Sequence, residues 1–227
     1  MADAETRFAL LTVAIDRFGM CGVDSVSTRE IAALAQTPMS SITYHFGSKE
    51  RLYLAAAQHI ADILGPQVHF AIRGDQESLL TTSDDARLEL RRLVSTLLRV
   101  MLDERYASFS RFVAREQAGP TEAFEILFSN IMNPVLGRLQ DLLMIVSDHG
   151  LSAQEARVRS VTLLGQVLIF RMGHAAALRA AAWQRLDDGA LGVIEHVALA
   201  HLDAITESLG KDRRPATDRP FGRQAAR

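Results

Sequence analysis

The chain has 227 residues, 48% of them hydrophobic and 23% charged, enough to bury a core in one or two domains. It has no run of eighteen apolar residues and no basic-then-apolar leader, which excludes a membrane span and a secretory signal and predicts a cytoplasmic protein with no membrane partner. The single cysteine, Cys21, excludes an internal disulfide, no CxxC or HExxH spacing offers a metal site, and a net charge of −2 does not advertise a nucleic-acid binder.

Strand signals are almost absent, and helical periodicity recurs along the chain. Phe8, Leu11, Ile15 and Phe18 mark the stripe of a first helix, which Gly19 and Gly22 end. Residues 1–60 carry five Lys/Arg against six acids, so any case for DNA must come from a motif rather than from charge.

Residues 26–52 pack three helix starts into one short segment. Ser27 as N-cap with Glu30 three residues on forms a capping box, and Val26 with Ile31 forms the accompanying staple. Ile31, Leu34 and Ala35 give this helix one apolar side. Thr37 is the expected N-cap of the next helix, Met39–Phe46, with Pro38 at the first position, where its missing N–H costs nothing. Ile42 and Phe46 are spaced to face a core, and Ser48 caps a third helix starting at Lys49. Two short helices joined by a turn of about four residues make a helix-turn-helix pattern. The outward face of the second offers Ser40, Ser41, Thr43, Tyr44 and His45, with no carboxylate. Such a face can approach a polyanion closely, and its hydroxyls suit phosphates and base edges. The plainer alternative is an ordinary solvated face.

Breaks are expected near Pro66, across Gly74–Asp84, at Gly119-Pro120 and at His149-Gly150, and Pro134 should kink the helix that holds it. Leu90, Leu93, Val94, Leu97 and Met101 form one stripe, with Arg91, Arg92 and Arg99 largely off it. Ser152 and Glu155 form a capping-box pattern that opens a long helix to about Arg179. That helix is apolar nearly all round, so more than one neighbour must bury it, a second subunit among them. A last helix runs from about Asp188 to Leu209. Polar residues in this apolar background are the ligand candidates: Arg111, Arg115, Glu116, Gln166, Arg171 and His174, with Phe170 among the walls. The competing reading is an internal Arg–Glu pair that staples helices. His59, His69, His149, His196 and His201 lack metal-ligand spacing. Residues 211–227 carry six basic and two acidic residues with two prolines, and read as a disordered, solvated tail that has the option of touching DNA phosphates.

Residues 8–52 resemble the DNA-binding domain of the TetR family of regulators. The resemblance rests on Thr28, Ile31 and Ala32, then on Ile42, His45, Phe46, Lys49 and Leu52. The wording from Pro38 to Lys49 is similar to the CecR (YbiH-like) branch. So are Arg115-Glu116-Gln117, Pro120-Thr121, Ala123-Phe124-Glu125 and Gly165-Gln166-Val167-Leu168 with Phe170-Arg171. The resemblance implies an all-α fold. Residues 1–50 would be a three-helix DNA-binding domain, and residues 51–210 a dimerisation and effector domain whose last two long helices build an intersubunit four-helix bundle. It also implies a homodimer on a palindromic operator in double-stranded DNA. The regulator would mostly repress, be released by a small hydrophobic effector, and control transport or drug-efflux genes.

Roles follow for the DNA-facing residues. Thr28 and Lys49 suit phosphate anchoring at helix N-termini, and Tyr44 and His45 look like further backbone contacts. Met39, Ser40, Ser41 and Thr43 are placed to reach base edges, and Arg29 either bonds guanine or is a solvated charge. Two departures stand out: Gln36 occupies a turn position that is Gly in many relatives, and Thr43 one that is often Tyr. No nucleophile–base pair, cofactor loop or metal triad is present, so no enzyme activity and no cofactor are expected. An architectural DNA binder or a regulator without an effector remains the alternative.

Overall fold

The computed structural model describes residues 2–73 and 82–211, and every regular element among them is helical. The first four helices are α1 (Ala2–Cys21), α2 (Thr28–Leu34), α3 (Ser40–Phe46) and α4 (Lys49–Arg73). After them come α5 (Ser83–Leu102), a 3-10 turn (Glu104–Tyr106), α6 (Ala107–Ala118) and α7 (Glu122–Leu127). A π-turn (Phe128–Met132) leads into α8 (Asn133–Val146), followed by α9 (Ala153–Met172), α10 (His174–Ala180) and α11 (Asp188–Lys211). The basic tail expected beyond Lys211 lies outside the described residues, as does most of the break expected over 74–84.

The α1 stripe faces inward as expected at Leu11, Ile15 and Phe18, but Phe8 is 58% exposed and packs edge-on against His59 instead. In α5, Leu90, Leu93, Val94 and Leu97 enter the core, while Arg91, Arg92 and Arg99 pair with Asp203, Glu89 and Glu195. Thr82 and Asp85 cap this helix reciprocally, a box that the sequence reading did not pick out.

Three expectations about helix continuity are corrected. Pro66 does not interrupt α4: it lies on the exposed side of the helix, where the carbonyl left without a donor can turn to water. Pro134 sits in the first turn of α8, and the π-turn just before it absorbs the misfit as a bulge. The long helix expected to run to Arg179 is broken at Gly173, where α9 and α10 meet at 85°. A Cβ at Gly173 would stand 2.9 Å from the Ile169 carbonyl, so the bend needs glycine. No single helix among the described residues is long and apolar enough to cross a membrane.

The α9 helix has a second unexpected property. Leu163 and Val167 are buried, whereas Val158, Val161 and Ile169 are each more than half exposed, and Gly165 lies on the same open side. Val193 and Val197 of α11 are likewise turned outward, at 53% and 44%. Among the described residues, these two apolar faces have no neighbour to cover them.

Candidate DNA interface and effector cavity

The helix-turn-helix is built largely as its sequence dictates. Ser27 Oγ accepts from the Glu30 backbone N–H at 3.1 Å, and Val26 and Ile31 are buried together at 1% and 0%. The reciprocal half of that box gives way to a stronger partner: the Glu30 carboxylate pairs with Arg17 on α1. Gln36 takes the left-handed backbone, φ 55°, so the turn keeps the shape that glycine favours and packing absorbs the cost. Thr37 does not cap α3. The helix starts at Ser40, Met39 occupies the cap without a side-chain bond, and the Thr37 hydroxyl is buried with no partner. Pro38 and Met39 accept from Ser41 and Ile42 in a tight first turn, which takes over the capping.

On the outer surface Arg29, Met39, Ser40, Thr43 and Tyr44 are exposed, with Tyr44 at 78%, while Thr28 and Ser41 are half-buried beside them. His45 is not on that face. Its side chain is 7% exposed and turned toward Asp3 at 3.6 Å, between Tyr44 and Phe46. Lys49 lies at the start of α4, its ammonium 3.4 Å from the Val26 carbonyl, and it ties α4 to the loop before α2. Ser48 caps α4 through the Arg51 N–H, as expected.

An apolar cavity of about 60 Å³ lies between α4, α5, α6, α8 and α9. Its walls include Leu64, Leu97, Met101, Phe109, Val113, Met132, Leu164, Leu168 and Met172. The polar groups at its edge are turned to internal partners: Gln117 donates to Met132 Sδ, Ser110 to the Tyr106 carbonyl, and Gln67 to the Tyr106 hydroxyl. The guanidinium of Arg171, 7% exposed, donates to the carbonyls of Met101 and Asp103 and pairs with Glu104.

Of the seven ligand candidates, only Arg171 lines this cavity. Gln166 faces His201 across the α9–α11 surface, and Phe170 packs against the core. His174 borders a separate open cleft with Glu104 and Asp187. Arg111, Arg115 and Glu116 face the DNA-binding helices. Arg111 pairs with Asp16 at 2.7 Å, and Arg115 donates to the Gly19 and Met20 carbonyls at the end of α1. Gly22 fits this arrangement twice over: its φ is +85°, and a Cβ there would meet the Arg115 guanidinium at 2.9 Å. The stapling contacts of α6 run to α1 and α4, and the one Arg–Glu pair among these candidates is Arg171 with Glu104.

Glu116, 1% exposed, accepts from the Tyr53 hydroxyl on α4 and from both the backbone N–H and hydroxyl of Thr121, at 3.0 and 2.9 Å. Burial and the adjoining carboxylate push the Tyr53 phenol up from its ordinary value, so it stays a proton donor. Tyr53 also meets Phe18 of α1 edge-on at 5.1 Å and stacks on Phe112 of α6 at 4.7 Å. Such ring pairs add about 0.5–1.5 kcal/mol each beyond area burial. One helix, α6, therefore presents Phe109, Val113 and Gln117 to the cavity. The adjoining side of the same helix, about a quarter turn round, presents Phe112 and Glu116 to the helices that carry the DNA-binding motif.

Known proteins share this fold. SCO4454, a TetR-family regulator from Streptomyces coelicolor, superposes with a TM-score of 0.62 at 18% identity, over 92% of this chain and 97% of its own. AibR, crystallised with isovaleryl coenzyme A and operator DNA, superposes with a TM-score of 0.64 at 18% identity, over 86% and 97%. The HTH-type transcriptional dual regulator CecR of Shigella flexneri is 32% identical over 209 residues, 89% of this chain and 92% of its own. Residues 10–56 match the bacterial regulatory proteins of the tetR family, and residues 86–209 match the C-terminal domain of the dual regulator CecR. On these grounds the chain belongs to the TetR family of transcription regulators, with a C-terminal domain of the CecR type.

Proposed function

We propose that the chain is a homodimeric repressor that binds a palindromic operator through α3 and is released when a small apolar effector enters the cavity. The observation that carries this reading is the double role of α6, one face on the cavity and the other on α1 and α4. AibR, of the same fold, has been crystallised with isovaleryl coenzyme A and operator DNA together, which supports a fold that accommodates a small molecule and DNA.

The cavity's chemistry sets the ligand class. Its walls present carbon, so burying a charged group there would cost several kcal/mol without a partner. A space of about 60 Å³ is far below the 300–1,000 Å³ typical of pockets for drug-sized ligands, so entry requires the walls to move. Met101, Met132 and Met172 suit that task, since unbranched thioethers repack at low cost. An expanding cavity pushes α6 against α1 and α4. In a dimer the two recognition helices must sit about 34–36 Å apart to enter successive major grooves, and a few ångströms suffice to put them out of register. Arg29, Met39, Ser40, Ser41, Thr43 and Tyr44 are the contacts this docking brings to DNA, with Thr28 and Lys49 at phosphates. The genes so controlled would encode transport or efflux of compounds like the effector.

The test is a thermal-shift survey of uncharged aromatic and short aliphatic compounds on the full-length protein, repeated with Val113→Trp to block the cavity. Stabilisation by some of them, abolished by the blocking variant, is the expected result. Stabilisation that survives the block would place the effector elsewhere.

A further inference from the structure

We propose that Glu116 is a positioning residue for DNA binding, the joint through which the state of the cavity reaches α4 and, through it, the recognition helix. The proposal rests on the reading that the cavity takes an effector. It adds that transmission runs through one carboxylate rather than through packing in general.

Three features single this group out. Glu116 is the one acidic side chain among the described residues that is buried in the core, and a buried carboxylate is tolerated only when its acceptors are filled. Its two oxygens are filled from two different elements: Oε1 by Tyr53 of α4, Oε2 by Thr121. Thr121 is also the N-cap of α7, its hydroxyl oxygen accepting from the Ala123 N–H at 3.2 Å, so the α6–α7 corner is locked to the same carboxyl. A displacement of α6 therefore cannot leave Glu116 satisfied unless Tyr53 follows. Losing the Tyr53 hydroxyl would leave Oε1 a buried acceptor without its donor, so following is the cheaper response. Tyr53 lies one helical turn beyond Lys49, at the end of α4 that abuts α3.

The geometry also separates joint from cavity. Val113 and Gln117 line the cavity, whereas Glu116, on the adjoining side of α6, does not, so occupancy can be changed from positions that make none of the carboxylate's hydrogen bonds. A purely structural role predicts a loss of stability when the bonds are cut, but no change in how a cavity perturbation affects DNA binding.

The experiment is a double-mutant cycle on the full-length protein, with a duplex recovered from random-sequence DNA by repeated selection on that protein. Val113→Trp serves as a tethered occupant too large for the cavity. In the otherwise native chain it should lower DNA affinity by about tenfold, within the usual range for coupled sites. In the Tyr53→Phe background the same change should lower it by less than about twofold, because the hydroxyl that drags α4 is gone. Thr121→Val should weaken the coupling as Tyr53→Phe does, and Thr121→Ser, which keeps the hydroxyl donor, should restore it. Melting temperature and helicity measured alongside identify any variant that has lost its fold, and the Thr121 pair then carries the test. If Val113→Trp weakens DNA binding equally in every background, Glu116 is not the joint, while the cavity reading stands. If Val113→Trp has no effect in the native chain, the cavity reading falls and the joint falls with it.

Discussion

In the proposed docking, Lys49 and Thr43 divide the work of DNA binding between anchoring and reading. Lys49 sits at the first turn of a 25-residue helix and can place one cation at a phosphate. Lys49→Ala should weaken binding about equally on all sequences and reduce the salt slope by about one. Thr43→Ala should instead change which base is preferred at one position. Binding selections at two salt concentrations read both effects, and a specificity change from Lys49→Ala with none from Thr43→Ala would reverse the assignment. His59 supplies a pH dependence. Burial and the nearby Arg7 hold its pKa below 6.5, so the unfolded chain takes up that proton more readily than the folded one. Stability from this group is therefore complete above about pH 6.5 and is lost as pH falls through the lower folded value. Melting curves of His59→Gln should show a flatter acid limb than the native protein. An identical acid limb would remove His59 from that role.

Helices α1 and α6 meet where the two halves of the chain join, and a glycine sets their spacing. A Cβ on Gly19 would lie 3.0 Å from the Phe112 nitrogen and 3.2 Å from Arg111 Cβ, so any larger residue requires α6 to give way. Gly19→Val should destabilise the protein by about 1–3 kcal/mol in urea unfolding, as overpacking does. It should also lower DNA affinity by wedging α6 from α1; full affinity at reduced stability would show the contact to be structural only. Much of this region was legible in the sequence, because capping and periodicity are local signals: Ser27, Val26, Ile31 and Ser48 behave as their positions predict. What was not legible depends on distant partners. Glu30 leaves its capping box for Arg17, His45 turns inward to Asp3, and Arg111 and Arg115 serve α1 rather than a ligand. The polar hooks lie mostly away from the cavity, whose wall is built of ordinary core residues such as Val113 and Met132 that no sequence pattern separates from packing.

Two apolar faces, one on α9 and one on α11, remain open on the single chain, and a second copy is what we propose covers them. Val161→Glu and Val197→Glu should yield monomers by sedimentation, since each puts a charge on an outward apolar face. Leu202, although it belongs to the same helix, is 1% exposed inside its own subunit, so a charge there would damage the fold instead. Dimers persisting in both surface variants would move the interface elsewhere. The cavity is lined by Leu164 and Leu168 of α9, so the proposed effector, dimer and DNA sites are linked by a continuous set of packed helices. Such linkage is reciprocal: whatever an effector does to operator affinity, the operator must do to effector affinity, typically by 5- to 150-fold, or about 1–3 kcal/mol. The decisive measurement is therefore calorimetric titration of the most stabilising apolar compound into the dimer, free and saturated with operator duplex. Weaker binding to the operator-bound dimer, by at least about fivefold, is the predicted result. Equal affinity for the two forms would leave that compound no leverage on DNA binding and would contradict release through the cavity.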